Sequence, residues 1–143
     1  CGMAPLLYLA RKISESGVQP HFALGFRNRS RILTHDEFSA LGPVYLSTED
    51  GSQGYRGFVT DIPEFSNEHW DRVYCCGPEP MMKAVAVLCR KRDIFCEVSL
   101  ENLMACGLGI CLCCVVPTTS GNLCSCTDGP VFNINDLKWQ TSG

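Results

Sequence analysis

Apolar positions in the first hundred residues switch between a helical and a strand-like period. Over residues 4–16, Leu6, Leu7, Ala10 and Ile13 make one stripe at helical spacing, and Gly17 follows as a stop. Residues 21–26 are a short apolar run that predicts a buried strand. Thr34 with Glu37 three positions on reads as a capping box, opening a short helix to about Leu41. Residues 43–47 predict the next strand, and the segment from Thr48 to Gly57 is a polar, glycine-rich loop. Residues 72–76 read as a strand broken by Gly77 and Pro78. Pro80 then stands where a first helical turn needs no N–H, so a helix is expected over about residues 81–91. Residues 95–99 close the series as a strand.

Strands and helices alternating through short loops predict an α/β fold with a parallel sheet. From Leu100 the character changes, and glycine and cysteine dominate. Two short β-type runs, residues 112–116 and 123–126, flank a turn at 117–122. The expected organisation is a nucleotide-binding domain over residues 1–99 and a small cluster-binding module with a β-hairpin over residues 100–143.

Composition narrows the function classes. Hydrophobic residues make up 45% and charged residues 19%, the balance of a globular chain rather than a disordered one. A net charge of -3 gives no footing for nucleic acid or an anionic membrane surface. No apolar run approaches the roughly 18 residues that span a bilayer.

Cysteine is the outlying residue. The total of 11 is odd, so complete internal disulfide pairing is impossible. Six of the cysteines crowd between Cys106 and Cys126. A disulfide framework would staple distant segments, whereas this crowding fits metal ligation in a reducing compartment, so a cytoplasmic location is expected.

Cys106, Cys111 and Cys114 form C-x4-C-x2-C, the plant-type spacing for a [2Fe–2S] cluster, with further cysteines downstream. Gly107 and Gly109 let the loop wrap closely and aim N–H groups at sulfur. Cys113 is out of step with this spacing and should point away from Cys114 if the segment is extended. A fourth ligand must come from the hairpin. Cys124 and Cys126 lie two apart and would share a face, so spacing leaves both open. The competing metal is zinc, which prefers paired C-x2-C knuckles.

The α/β half carries weaker signals at its expected strand ends, where such folds bind ligands. Gly2, Ala4 and Pro5 open the first helix, a place for a diphosphate. Cys76, Gly77, Pro78 and Glu79 form a sharp turn after a strand, and a thiol at Cys76 is placed to lie against a nicotinamide ring. Thr48, Glu49 and Asp50 follow another strand. Carboxylates there would accept ribose hydroxyls and repel a 2′-phosphate, which favours NADH. Arg27, Arg29 and Arg31 pull towards NADPH, since arginine grips phosphate. His21, His35 and His69 show no ligand spacing and read as structural.

With these residues in place, the chain resembles the electron-transfer subunit of type B dihydroorotate dehydrogenase. That family is similar to ferredoxin–NADP reductases with an added [2Fe–2S] domain. The resemblance rests on Gly2-Met3-Ala4-Pro5-Leu6, Thr48-Glu49-Asp50-Gly51-Ser52, Gly57-Phe58-Val59-Thr60-Asp61, Cys76-Gly77-Pro78-Glu79-Pro80-Met81-Met82, Met104-Ala105-Cys106-Gly107 and Cys126-Thr127-Asp128-Gly129-Pro130. It implies that Cys126, two before Asp-Gly-Pro, is the fourth ligand. It also implies electron flow from NADH through FAD and the cluster to a catalytic flavoprotein subunit, in pyrimidine biosynthesis. Diaphorase subunits of hydrogenases and NADH/ferredoxin transhydrogenases share most of these motifs.

The chain departs from the family in lacking the flavin-binding barrel and the strand that should lead into Cys1. The expectation is therefore a C-terminal piece that holds no FAD by itself and exposes a sheet edge prone to self-association.

Overall fold

The computed structural model describes residues 2–139. Cys1 and residues 140–143, the last of the expected cluster module, lie outside the described residues. Backbone contacts group the chain into two compact units, Met3–His69 and Gly2 with residues 70–139. The cysteine-rich segment thus packs as one body with the strands that immediately precede it.

In the first unit, α1 (Met3–Glu15) leads into β1 (Phe22–Phe26), α2 (His35–Ser39), β2 (Val44–Thr48), β3 (Tyr55–Arg56) and α3 (Pro63–Asn67). The three strands form a parallel sheet in sequence order, with Phe22 opposite Val44 and Ser47 opposite Tyr55. Phe22 and Leu24 alternate inward along β1, as period two requires. They join Ala10 of α1, Phe38 of α2 and Leu46 of β2 in one core. Phe38 is fully buried, and its ring meets Phe22 edge-on with centroids 4.9 Å apart.

In the second unit, β4 (Arg72–Cys76) pairs in parallel with β5 (Phe95–Ser99), and α4 (Glu79–Lys91) is the crossover. Met82, Val85, Ala86 and Cys89 recur at i, i+3, i+4 and i+7, and all four are buried on one face of α4. Pro80 lies in the first turn of this helix, as the sequence predicts, but the helix begins two residues before the expected 81, at Glu79, with Pro78 as its cap. Cys75, Cys89 and Cys96 are buried here as small hydrophobes, and burial pushes the Cys75 thiol up to about 12. A hairpin follows, β6 (Val115–Thr118) and β7 (Gly121–Cys124), antiparallel from Val115↔Cys124 to Thr118↔Gly121. The chain then returns as β8 (Val131–Asn133), antiparallel to β5. Phe132 and Ile134 bury there, and the Arg90 guanidinium of α4 donates to the Ile134 carbonyl.

Three local expectations are corrected. Thr34 makes no capping box: its φ of 58° turns its hydroxyl to donate to the Leu33 carbonyl at 2.7 Å, and α2 ends at Ser39. The hairpin starts at Val115 rather than 112, because Leu112 has φ 58° and belongs to the preceding loop. β7 stops at Cys124, so Cys126 lies in the turn beyond it, and Cys124 and Cys126 do not alternate along one strand.

Candidate functional site

The loop from Met104 to Cys114 has no regular structure. Gly107 and Gly109 take φ of 68° and 73°, a conformation that side-chain-bearing residues avoid. These turns fold the loop around its own sulfurs. The Leu108 N–H donates to Cys106 Sγ at 3.3 Å. Cys106 is pulled down to about 6, chiefly by the N–H of Cys111, then by that of Leu108 and by the Cys111 side chain. Cys114 is lowered by the N–H and then the thiol of Cys126. Cys126 is itself raised, first by hydrogen bonding to Cys114, although the Gly109 N–H favours its thiolate.

Cys106 thus lies by Cys111, which also meets Cys113, and Cys114 lies by both Cys126 and Cys124. A [2Fe–2S] cluster takes four thiolates, and a loop that turns its N–H groups toward sulfur suits such ligands. Among the described residues, no three His, Cys, Asp or Glu side chains, these cysteines included, are gathered as a ready-made metal site. Cys113 is exposed while its neighbour Cys114 is buried; the two lie in a turn rather than in the extended segment on which the expectation rested. Cys124 lies by Cys114 as well, and burial raises its thiol. Its Sγ is 4.0 Å from the Gly109 carbonyl.

Two polar residues that the sequence reading passes over stand behind these sulfurs. Ser125 is fully buried, and its N–H donates to the Cys114 carbonyl at 3.0 Å. Asn102 Nδ2 donates to Ser125 Oγ at 3.0 Å and to the same Cys114 carbonyl at 3.4 Å. The signal for Ser125 was a hydroxyl between two cysteines, while nothing in the sequence marked Asn102.

The nucleotide-type residues fall in the two units as follows. Gly2 lies against the end of β4: a Cβ built on it would stand 2.7 Å from the Cys76 carbonyl oxygen. Cys76 is buried, and burial raises its thiol while a hydrogen bond from Ser99 opposes that. Gly77, Pro78 and Glu79 line a cleft of about 320 Å³ with Glu101, Asn102 and Trp139. In the other unit, Ala4 and Pro5 occupy the first turn of α1. Thr48 is buried, and its hydroxyl donates to the Gln53 carbonyl at 2.7 Å, so it shapes the loop from within. Glu49 and Asp50 are exposed. Asp50 Oδ1 accepts the Ser52 hydroxyl at 2.6 Å and the Ser52 N–H at 2.9 Å, which holds its carboxyl below the usual range. Ser52 Oγ accepts the Arg29 N–H at 2.8 Å, tying the loop after β1 to the loop after β2.

Comparison with known proteins gives these features a context. Residues 101–138 match the iron–sulfur cluster binding domain of dihydroorotate dehydrogenase B. The electron transfer subunit of dihydroorotate dehydrogenase B from Shouchella clausii is 39% identical over 140 residues, covering 95% of this chain and 53% of that protein. Its counterpart from Caldanaerobacter subterraneus is 42% identical over 135 residues, covering 92% of this chain and again 53% of the relative. The chain thus spans about half the length of the curated relatives it matches. Among solved structures, a chain of an NADH-dependent reduced ferredoxin–NADP oxidoreductase superposes with a TM-score of 0.85 at 30% identity, covering 96% of this chain and 51% of that one.

A parallel α/β fold joined to a cysteine-rich hairpin module is the architecture of ferredoxin-reductase-like electron-transfer proteins. Within that class the chain is similar to about half the length of the electron transfer subunits of type B dihydroorotate dehydrogenase and carries the segment that matches their iron–sulfur cluster binding domain.

Proposed function

We propose that this chain relays electrons from NADH to a partner dihydroorotate dehydrogenase flavoprotein, and so serves pyrimidine biosynthesis in the cytoplasm. The observation that carries the reading is the glycine-turned loop that sets the Leu108 N–H 3.3 Å from Cys106 Sγ, inside a segment that matches a cluster-binding family. In this reading Cys106, Cys111, Cys114 and Cys126 hold a [2Fe–2S] cluster, residues 100–143 form its module, and residues 1–99 bind NAD(H). A bound cluster supplies one-electron transfer, and FAD in the intact protein supplies the conversion from a two-electron donor.

The chain's own residues orient and tune. The N–H groups of Leu108, Ile110 and Cys111 favour negative charge on Cys106, which stabilises a reduced centre. Gly2 packs closely on the end of β4, and Cys76 there presents an uncharged, buried thiol to a nicotinamide. Glu49 and Asp50 accept ribose hydroxyls. Around the sulfurs, Leu103, Leu108, Ile110 and Leu112 are exposed apolar residues, and this rim supports docking of the partner flavoprotein.

The test is purification of the intact protein with whatever flavoprotein accompanies it. Dihydroorotate-dependent reduction of NAD+ by that complex is expected. A complex lacking that activity but reducing ferredoxin with NADH would transfer the chain to the second reading, a diaphorase-type subunit of a hydrogenase or transhydrogenase. The structural likeness to a ferredoxin–NADP oxidoreductase is the observation that keeps this reading in play.

A further inference from the structure

Cys114 and Cys126 come from different segments, one before the hairpin and one after it. Their pairing needs something that fixes the two segments against each other. Ser125 does part of this, since its N–H bonds the Cys114 carbonyl at 3.0 Å and extends the β6–β7 ladder by one step. Ser125 is wholly enclosed, so its hydroxyl must find its partner inside the protein. That partner is the Asn102 amide at 3.0 Å, which also reaches the Cys114 carbonyl at 3.4 Å. Asn102 sits three residues beyond β5, and β5 is anchored on both sides by β4 and β8. One half-buried amide therefore ties both cysteine-bearing segments to the sheet.

Resting on the reading of these cysteines as cluster ligands, we propose that Asn102 is a positioning residue. Its Nδ2 fixes the Cys114 and Cys126 sulfurs as a pair and draws electron density from the Cys114 peptide. Only a donor serves both contacts, because the Cys114 carbonyl can only accept, whereas the Ser125 hydroxyl can accept or donate. An aspartate of the same shape would set a carboxylate oxygen against the Cys114 carbonyl, reversing the interaction without changing its volume. A donor dipole pointed at the ligand peptide stabilises the reduced centre, so its removal moves the reduction potential downward.

The experiment uses the intact protein, purified without air, with Asn102→Asp and Asn102→Ala. Cluster loss to a chelator should accelerate about five-fold, the weight of one net hydrogen bond. The reduction potential should fall and the paramagnetic line shape of the reduced cluster should change, with Asn102→Asp the more affected. Ser125→Ala removes the acceptor and leaves Asn102 in place; it should move the same readouts in the same direction, by less. Val85→Ala serves as the control, since it loosens the same unit from the buried face of α4 and should leave potential and line shape unchanged. Variants with wild-type potential, line shape and lifetime would overturn the assignment, as would a Val85→Ala protein shifted as far as they are. A wild-type protein without labile sulfide would instead sink the underlying cluster reading.

Discussion

A Cβ at Gly2 would stand 2.7 Å from the carbonyl oxygen of Cys76, closer than such atoms approach in folded proteins. Gly2 also has φ 82°, a conformation that costs an ordinary residue roughly 1 kcal/mol. The closeness places the residue before α1 directly on the turn that ends β4.

Gly2→Ala should therefore lower stability by about 1–3 kcal/mol through forced displacement of one backbone from the other. If the nucleotide reading holds, NADH affinity should fall as well, since the same contact shapes the strand end. Denaturant unfolding and NADH titration of the intact protein measure the two effects separately. An unchanged unfolding midpoint would show that the contact is relieved at no cost.

The core of the first unit depends on Phe38, fully enclosed and edge-on to Phe22. Phe38→Ala should cost about 3–5 kcal/mol, the range for deleting a buried aromatic ring. Chemical denaturation followed by circular dichroism reads this loss directly.

Asp50 is exposed, and its Ser52 hydrogen bonds favour the ionised carboxyl. Its pKa is depressed, so the charge is present throughout the neutral range and is lost only as pH falls into the acid range. Asp50→Asn should leave the loop in place while narrowing the preference for NADH over NADPH several-fold. The ratio of kcat/KM for the two cofactors in the intact complex is the measurement. An unaltered ratio would remove Asp50 from the ribose site.

Leu108 and Ile110 are 69% and 77% exposed beside the sulfurs. Leu108→Lys with Ile110→Lys should weaken capture of the partner flavoprotein by ten-fold or more, since exposed apolar anchors dominate such surfaces (roughly 1–2 kcal/mol each). Visible absorbance of the cluster should be retained. Sedimentation of the two subunits, read alongside that spectrum, separates docking from cluster assembly.

The parts legible in the sequence are those whose signal is local. β4 and β5 occupy the expected residues 72–76 and 95–99, because each is an apolar run closed by a turn. α4 runs to Lys91 as expected but begins at Glu79, one residue before the Pro80 signal. β8 was missed, since only Phe132 and Ile134 mark it and its partner β5 lies more than thirty residues upstream. Thr34 misled because a capping pattern says nothing of the backbone angle that turned its hydroxyl away. In the candidate site, the C-x4-C-x2-C spacing singles out Cys106, Cys111 and Cys114, three of the four thiols proposed as ligands. The choice of Cys126 over Cys124 came from resemblance alone, and periodicity could not supply it because β7 ends between them. The Asn102 contact was invisible, being a tertiary meeting of three separate segments.

The central claim is that four thiolates hold two irons and two sulfides, and chemical analysis of protein purified without air tests it most directly. Two irons and two acid-labile sulfides per chain are expected, with a paramagnetic signal after dithionite that disappears in Cys106→Ala. Stoichiometric zinc without sulfide, and no signal after reduction, would contradict the account.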